Sequence, residues 1–427
     1  MLSDRYGNQL SSRSGEAGDA YVMAVDLLLS ANPGAEQAFN VAIACDPGLA
    51  VAYAGLARAL QLSARPQEAK AAMADAVKLS AGLSARERGH VQAFQLLIDG
   101  RSSDALAAAR AHLEDYPRDA MVLAPCTGVF GLIGFSGRAG REIELLALMD
   151  SLASAYGAED WWFLGTHAFA QVECGHIGQA LANVERSLAR NARNAHGAHI
   201  RAHVYYESGE REPGLAYLRD WWSSYPKEGQ LHCHLAWHIA LWELELGRAQ
   251  RAWQVYHAHL RPGASWGPAI NTLTDSASFL FRAELAGERR DALLWRDLSG
   301  YAEAAFPTPG LTFADVHGAL AHALAGNGEA LRRLESGARG PACDLVRGLA
   351  RAFGALARRD WDEALAGLRP IIAAHERIGG SRAQRDLIEY ALAFCLLRAG
   401  RTAQARAYLE RRRLGGPEHW PIAGLRA

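Results

Sequence analysis

An all-α fold of tandem helical hairpins is what this sequence predicts, and three observations carry the prediction. Apolar residues recur at helical rather than alternating spacing. Alanine is abundant, and the 15 prolines are widely spaced, so long helices go uninterrupted. A longer period is superimposed. The set Ala35, Phe39, Ala42 and Pro47 returns 34 residues later as Ala69, Met73, Ala76 and Ala81, with a looser copy at Ala105, Ala109 and Pro117. That period and its small residues match the second helix of a tetratricopeptide repeat.

The same unit reappears in mid-chain, where Gly175 and Ala180 are followed by Gly209 and Gly214, the latter leading to Trp221 and Pro226. Later units begin at Gly247 with Ala252, Gly326 with Ala330, Asp360 with Ala364, and Gly400 with Ala405. Each glycine suits the left-handed residue that ends a helix. A repeat of this kind cannot bury its apolar face alone, so the units are expected to stack. The expectation is one tetratricopeptide-like domain over residues 1–427, an α-solenoid superhelix able to close around an internal cavity. Residues 262–275 and 304–315, rich in Pro, Gly, Ser and Thr, are the longest expected loops. The glycine-rich stretch 128–140 lacks a Lys-Ser/Thr ending, which argues against a phosphate-binding loop and for a turn or helix contact.

Bulk composition narrows the function classes. The 427 residues are 50% apolar and 21% charged, as in a folded protein with a packed core. The 45 basic and 46 acidic residues leave no net field to attract nucleic acid or anionic membrane. Cys45, Cys126, Cys174, Cys233, Cys343 and Cys395 show no paired spacing and read as reduced core thiols. The first residues, Met1-Leu2-Ser3-Asp4-Arg5, lack a secretory start, and no apolar run is long enough for a bilayer. A cytoplasmic protein is expected.

Polar chemistry gathers in mid-chain. With Ala202 at the small eighth position of its repeat, His196, His199, His203 and Tyr206 fall on the face that lines the inner groove. The next repeat supplies His232, His234 and His238 beside Trp237 and Trp242. His199 and His203 form one i,i+4 pair, and His234 and His238 another. A lone helical histidine is ordinarily a surface or hydrogen-bonded core residue, and most tryptophans here are expected to pack repeats. Two such pairs on adjacent inner faces point further. His199, His203, His234 and His238 are the candidate ligands of a divalent metal, although His199-Ile-Arg-Ala-His203 and His234-Leu-Ala-Trp-His238 lack the glutamate of H-E-x-x-H. Proton transfer without a metal is the other reading.

Several strings resemble the tetratricopeptide repeat protein 38 family. They are His199-x-x-x-His203; His234-Leu-Ala-Trp-His-Ile-Ala-Leu241 with Gly247; Thr274-Asp-Ser276; Asp315-Val-His317; Ile378-Gly-Gly-Ser-Arg-Ala-Gln-Arg-Asp386; and Leu83-Ser-Ala-Arg-Glu-Arg-Gly-His90. The likeness runs over most of the chain. It implies a tetratricopeptide-like superhelix in the cytoplasm and brings no defined reaction. His196 and His232 fall outside the matching strings, which favours a four-histidine or mixed His/Asp site over a six-histidine one.

These residues lead to a specific expectation. A partly enclosed cavity would bind a small polar, carboxylate-bearing molecule. Arg385 would pair with its anionic group, with Gln384, Asp386 and Trp237 beside it. Asp275 or Asp315 would orient an imidazole, and His203, His238 or His317 would move a proton, in a hydrolase or lyase reaction. Three alternatives stay open: Arg385 and Asp386 as a structural ion pair, a groove holding a partner's peptide, and a sealed polar network that only fixes helix register.

Overall fold

A computed structural model of the chain describes residues 2–412 and 422–425. These residues fold almost wholly into helices, and contacts among them divide the chain into two compact units: Met1–Ser136 with Glu142–Arg201, and Gly137–Arg141 with Ala202–Ala427.

The first unit opens with two-residue antiparallel strands β1 (Leu2–Ser3) and β2 (Gln9–Leu10). The hairpin pairs α1 (Gly15–Leu29) with α2 (Ala35–Cys45), α3 (Ala50–Leu62) with α4 (Pro66–Lys78), and α5 (Ala85–Ile98) with α6 (Ser102–Asp115) follow. After α7 (Ala120–Leu123), a run of turns and α8 (Arg141–Leu152), α9 (Trp161–Glu173) pairs with α10 (Ile177–Arg190). The next helices, α11 (Ala195–Ser208) and α12 (Arg211–Ser223), begin 34 residues after α9 and α10. The repeat read from the sequence is therefore the spacing of real helix pairs. The division between units falls inside the unbroken α11.

The second unit continues with α13 (His232–Glu245), α14 (Ala249–Val255), α15 (Ala269–Leu285), α16 (Ala292–Ala305), α17 (Thr312–Ala325), α18 (Gly328–Gly337), α19 (Cys343–Ala357), α20 (Trp361–Ile372), α21 (Arg382–Arg398) and α22 (Thr402–Arg412). Gly175, Gly209, Gly247, Gly326 and Gly400 all stand at positive φ after a helix, as their positions predicted. Gly214 has a different reason to be small: a Cβ there would lie 2.7 Å from the Trp242 ring.

Burial separates two kinds of helix in this unit. On α18 only Ala330 and Leu334 are buried, the single stripe of an outer helix. On α13 thirteen of fourteen residues are buried, and on α15 fourteen of seventeen. Helices α17 and α21 are nearly as enclosed. The reason is the packing: α15 touches α13, α17 and, a hundred residues further along the chain, α21. The inner helices of the second unit thus enclose one another and leave no open concave face along these residues.

One expectation is corrected here. Residues 269–275, read as loop, form the start of α15, and only 261–268 are irregular. Asn271, Thr272 and Thr274 weaken helix propensity, but burial against neighbouring helices overrides it.

The first unit has a polar centre of its own. The buried Asp119 carboxylate accepts from Arg86 Nη1 at 2.9 Å, His90 Nδ1 at 3.0 Å and His112 Nε2 at 3.0 Å. Burial alone would raise its pKa, but His90, His112 and Arg86 hold it well below the usual carboxylate range. Of the six cysteines expected in the core, Cys126, Cys233 and Cys395 are buried, whereas Cys45, Cys174 and Cys343 are only half-buried.

Candidate functional site

The inner face of α13 is set by sequence spacing. His234 is followed three and four residues on by Trp237 and His238, and His238 four on by Trp242, so they share a face. His199 and His203 do the same on α11. Side-chain nitrogens of His199, His203, His234 and His238 all come within 4.8 Å of one another, and all four residues are buried.

Ring geometry ties the group together. His203 and His238 meet edge to face at 4.9 Å, and His234 and His238 do so at 5.1 Å. Trp237 stacks on His234 at 5.1 Å with only 16° between planes and meets His238 edge-on at 4.8 Å. His234 Nδ1 lies 2.9 Å from Asp275 Oδ2. A carboxylate accepts, so Nδ1 donates, and a carboxylate behind the ring is the arrangement found behind metal-ligating histidines. Burial pushes His203 down to about 3, with His234 adding repulsion, and holds His238 well below its ordinary value. Both imidazoles are neutral at physiological pH, the form that ligates metals.

A second constellation lies beside the box. Arg282 of α15 is 1% exposed, its guanidinium 5.6 Å from the Trp237 ring centre and 5.1 Å from that of Tyr390. Nη1 donates to the Tyr206 hydroxyl at 3.1 Å and Nη2 to the Ala383 carbonyl. The Tyr206 hydroxyl donates in turn to Asp386 Oδ2 at 2.7 Å, and Tyr390 reaches the same oxygen at 3.3 Å. Burial would lower the Arg282 pKa, yet Tyr206, Tyr390 and Asp386 keep it above its ordinary value, so the cation persists.

The remaining predicted residues are placed less centrally. Asp315 accepts from the Gly310 backbone N–H at 2.8 Å, anchoring the loop before α17, and burial raises it to about 6. His317 Nδ1 donates to the Phe313 carbonyl of its own helix at 2.8 Å, and burial pushes it down to about 4. Gln384 closes a capping box at the start of α21: its Oε1 accepts from Ser381 N–H at 3.0 Å, and its own N–H donates to Ser381 Oγ. Arg385 donates to the Gly380 carbonyl. His196 is only half-buried, and His232 turns to Trp222 and His259, at 4.7 and 5.4 Å. Neither joins the four.

Sequence reading missed Arg282, Tyr390 and the Arg86–Asp119 centre. Arg282 did leave a signal, a single charge closing the apolar run Phe279-Leu-Phe281 on a helix otherwise free of cations.

No protein-family model matches the chain. Among solved structures the chain is similar to the TPR domain of P58(IPK), with 14% identity over 94% of this chain and 100% of that one and a TM-score of 0.21. It is also similar to a structure of Naa15/Naa10 bound to HypK-THB, with 12% identity, 94% of this chain covered and a TM-score of 0.24. The match spans 64% of that second chain, less than two thirds of its length. Scores this low place no weight on overall arrangement. The helical-repeat assignment rests on the 34-residue pairing of α9 to α12.

Proposed function

We propose that this protein is a helical-repeat metalloprotein in which His199, His203, His234 and His238 hold one divalent transition-metal ion, at which a small polar, carboxylate-bearing molecule undergoes hydrolysis or elimination. One observation carries the reading: four buried imidazoles within 4.8 Å, one of them oriented by a carboxylate. Neutral nitrogen donors suit zinc, copper, iron or nickel. In a tetrahedral zinc site the nitrogens stand about 3.3 Å apart, so small side-chain rotations would close the box. The metal, when bound, supplies a Lewis acid that polarises an oxygen of the substrate. His234 is held in its ligating tautomer by Asp275, Trp237 walls the site, and the surrounding helices exclude water. Asp315 and His317 belong to the same reading as an outer ring, whereas Gln384 and Arg385 serve the start of α21. The proposal includes a single array over residues 1–427, membership of the tetratricopeptide repeat protein 38 family and a cytoplasmic location. None of the described helices is long and apolar enough to cross a membrane.

The alternative, a groove that binds a partner's peptide, needs exposed inner faces. Helices α13, α15, α17 and α21 are buried over most of their length instead, which favours a compact ligand.

The test is metal analysis of purified protein, then titration with Zn²⁺, Co²⁺ and Fe²⁺ after chelation. About one equivalent should bind, and His203→Ala and His238→Ala should each lose it. Failure of the folded parent to retain any of the three ions, or equal retention by both variants, would overturn the reading.

A further inference from the structure

Arg282 poses a problem of charge that the metal does not answer. Among the described residues no carboxylate lies within ion-pair distance of its guanidinium; its two partners are a phenol and a backbone carbonyl. Asp386 acts on it only through Tyr206. A fully buried cation without an anion in contact costs several kcal/mol, and buried charges are ordinarily paired.

The groups beside Arg282 are donors as well. Thr274, Ser278 and Arg282 follow at i, i+4 and i+8 on α15 and therefore share one face. All three are at least 98% buried, and Thr274 Oγ1, Ser278 Oγ and Arg282 Nε have no hydrogen-bond partner among the described residues. The Trp237 indole N–H, on the ring that stacks near Arg282, has none either. On another face of the helix Ser276 is satisfied by the Leu260 carbonyl at 3.1 Å. Native interiors leave few such atoms unpaired, and here three share one face of α15 while the fourth belongs to the ring that lies 5.6 Å from the Arg282 guanidinium.

We infer that Arg282, Ser278 and the Trp237 indole form a buried oxyanion subsite, and that Thr274 extends it toward Asp275 and the histidine box. Its ligand is a small organic acid with its anionic group on Arg282. Thr274 and Arg282 are eight residues apart, about 12 Å along the helix, too far for one inorganic anion to span. The metal reading supplies only the neighbouring chemistry; the subsite stands on α13 and α15 alone. This assigns the substrate's charge to Arg282 rather than Arg385, whose guanidinium engages the Gly380 carbonyl.

The experiment compares thermal unfolding with succinate, malate and inorganic phosphate, each with chelated and with metal-loaded protein. A dicarboxylate should raise the melting temperature in a concentration-dependent way in both preparations, and Arg282→Gln should abolish the shift. Because Arg282→Gln endangers folding, Ser278→Ala and Thr274→Val carry the decision. Each removes a buried unpaired hydroxyl, so each should leave the ligand-free protein as stable as the parent or more so. Ser278→Ala should nevertheless weaken dicarboxylate binding about tenfold, the loss of one hydrogen bond to a charged group. Stabilisation by phosphate alone, no stabilisation by any anion, or shifts unchanged in Ser278→Ala would overturn the inference and leave water as the partner of these donors. A dicarboxylate response in protein that binds no metal would sink the metal reading and keep this one.

Discussion

The two buried polar centres are electrostatic opposites. Around Asp119 a carboxylate sits in the middle, and Arg86, His90 and His112 close on it. In the second unit imidazoles and a guanidinium gather, and the carboxylates stand behind them, Asp275 on His234 and Asp386 on Tyr206. In the first arrangement cation and anion touch directly, although Arg86 Nε and His90 Nε2 have no hydrogen-bond partner among the described residues. The second leaves Arg282 Nε, the Thr274 and Ser278 hydroxyls and the Trp237 indole N–H without a hydrogen-bond partner among the described residues. Histidine clusters as such are therefore uninformative; what separates a structural centre from a binding centre is whether the charge at its middle is answered by the protein itself.

Removing one acid from each cluster breaks this comparison most forcefully. Asp119→Asn takes the nearest carboxylate from the buried Arg86, leaving Glu87 at 3.8 Å, and loss of one partner of a buried pair costs up to about 3–5 kcal/mol. Urea unfolding should show that loss without any change in metal content. Asp275→Asn removes an orienting group rather than a counter-charge. It should cost far less stability yet lower metal affinity about 10–100-fold, the usual effect of an outer partner of a ligating histidine. Equal stability losses in the two variants, with metal affinity unmoved, would mean that both clusters are structural.

A pH titration sharpens the same contrast. Burial pushes His317 and His322 down to about 4, whereas an unfolded chain takes up these protons near 6.5. Between those values the unfolded state binds more protons, so stability falls as pH drops from about 6.5 to 4, by up to about 1.4 kcal/mol per histidine per pH unit. Asp315, raised to about 6, works the other way between 6 and its ordinary 3.8 and offsets part of the loss. Asp119, held low by His90, His112 and Arg86, loses its contribution only as pH falls below about 4. Hydrogen exchange, corrected for its intrinsic pH dependence, should show α17 loosening by pH 5 while α5 and α6 stay protected.

How far the sequence could be read depended on whether a feature is local. The 34-residue period, the helix-ending glycines and the small residue at Gly214 are local requirements, and α9 to α12 stand where the period puts them. The pairing of His199 with His203 and of His234 with His238 is also local, since i,i+4 residues share a face. That the pairs meet depends only on adjacent hairpins, one step beyond local. Arg282 and Asp386 are a different case. Their link runs through Tyr206 across some 180 residues of chain, and nothing in the spacing of α11, α15 and α21 encodes it. Thr274 and Asp275 were assigned to a loop for a related reason, because polar propensity was weighed without the burial that overrides it.

The polar run ending in Asp386 offers the finest test of this distinction, because composition suggested a ligand site while geometry gives its members separate tasks. Ser381 and Gln384 exchange the two bonds of a capping box, Arg385 holds the preceding turn, and Asp386 reaches Tyr206. A capping residue stabilises its helix by about 1 kcal/mol, so Gln384→Ala should lower unfolding stability by about that amount. Metal content and the response to dicarboxylate should not change. Tyr206→Phe should instead alter the anion response and cost more stability than the cap, since it removes the hydroxyl that joins Arg282 to Asp386. Should Gln384→Ala instead weaken ligand binding with stability intact, its amide would belong to the site, and the line between helix cap and ligand contact would have to be redrawn one turn further along α21.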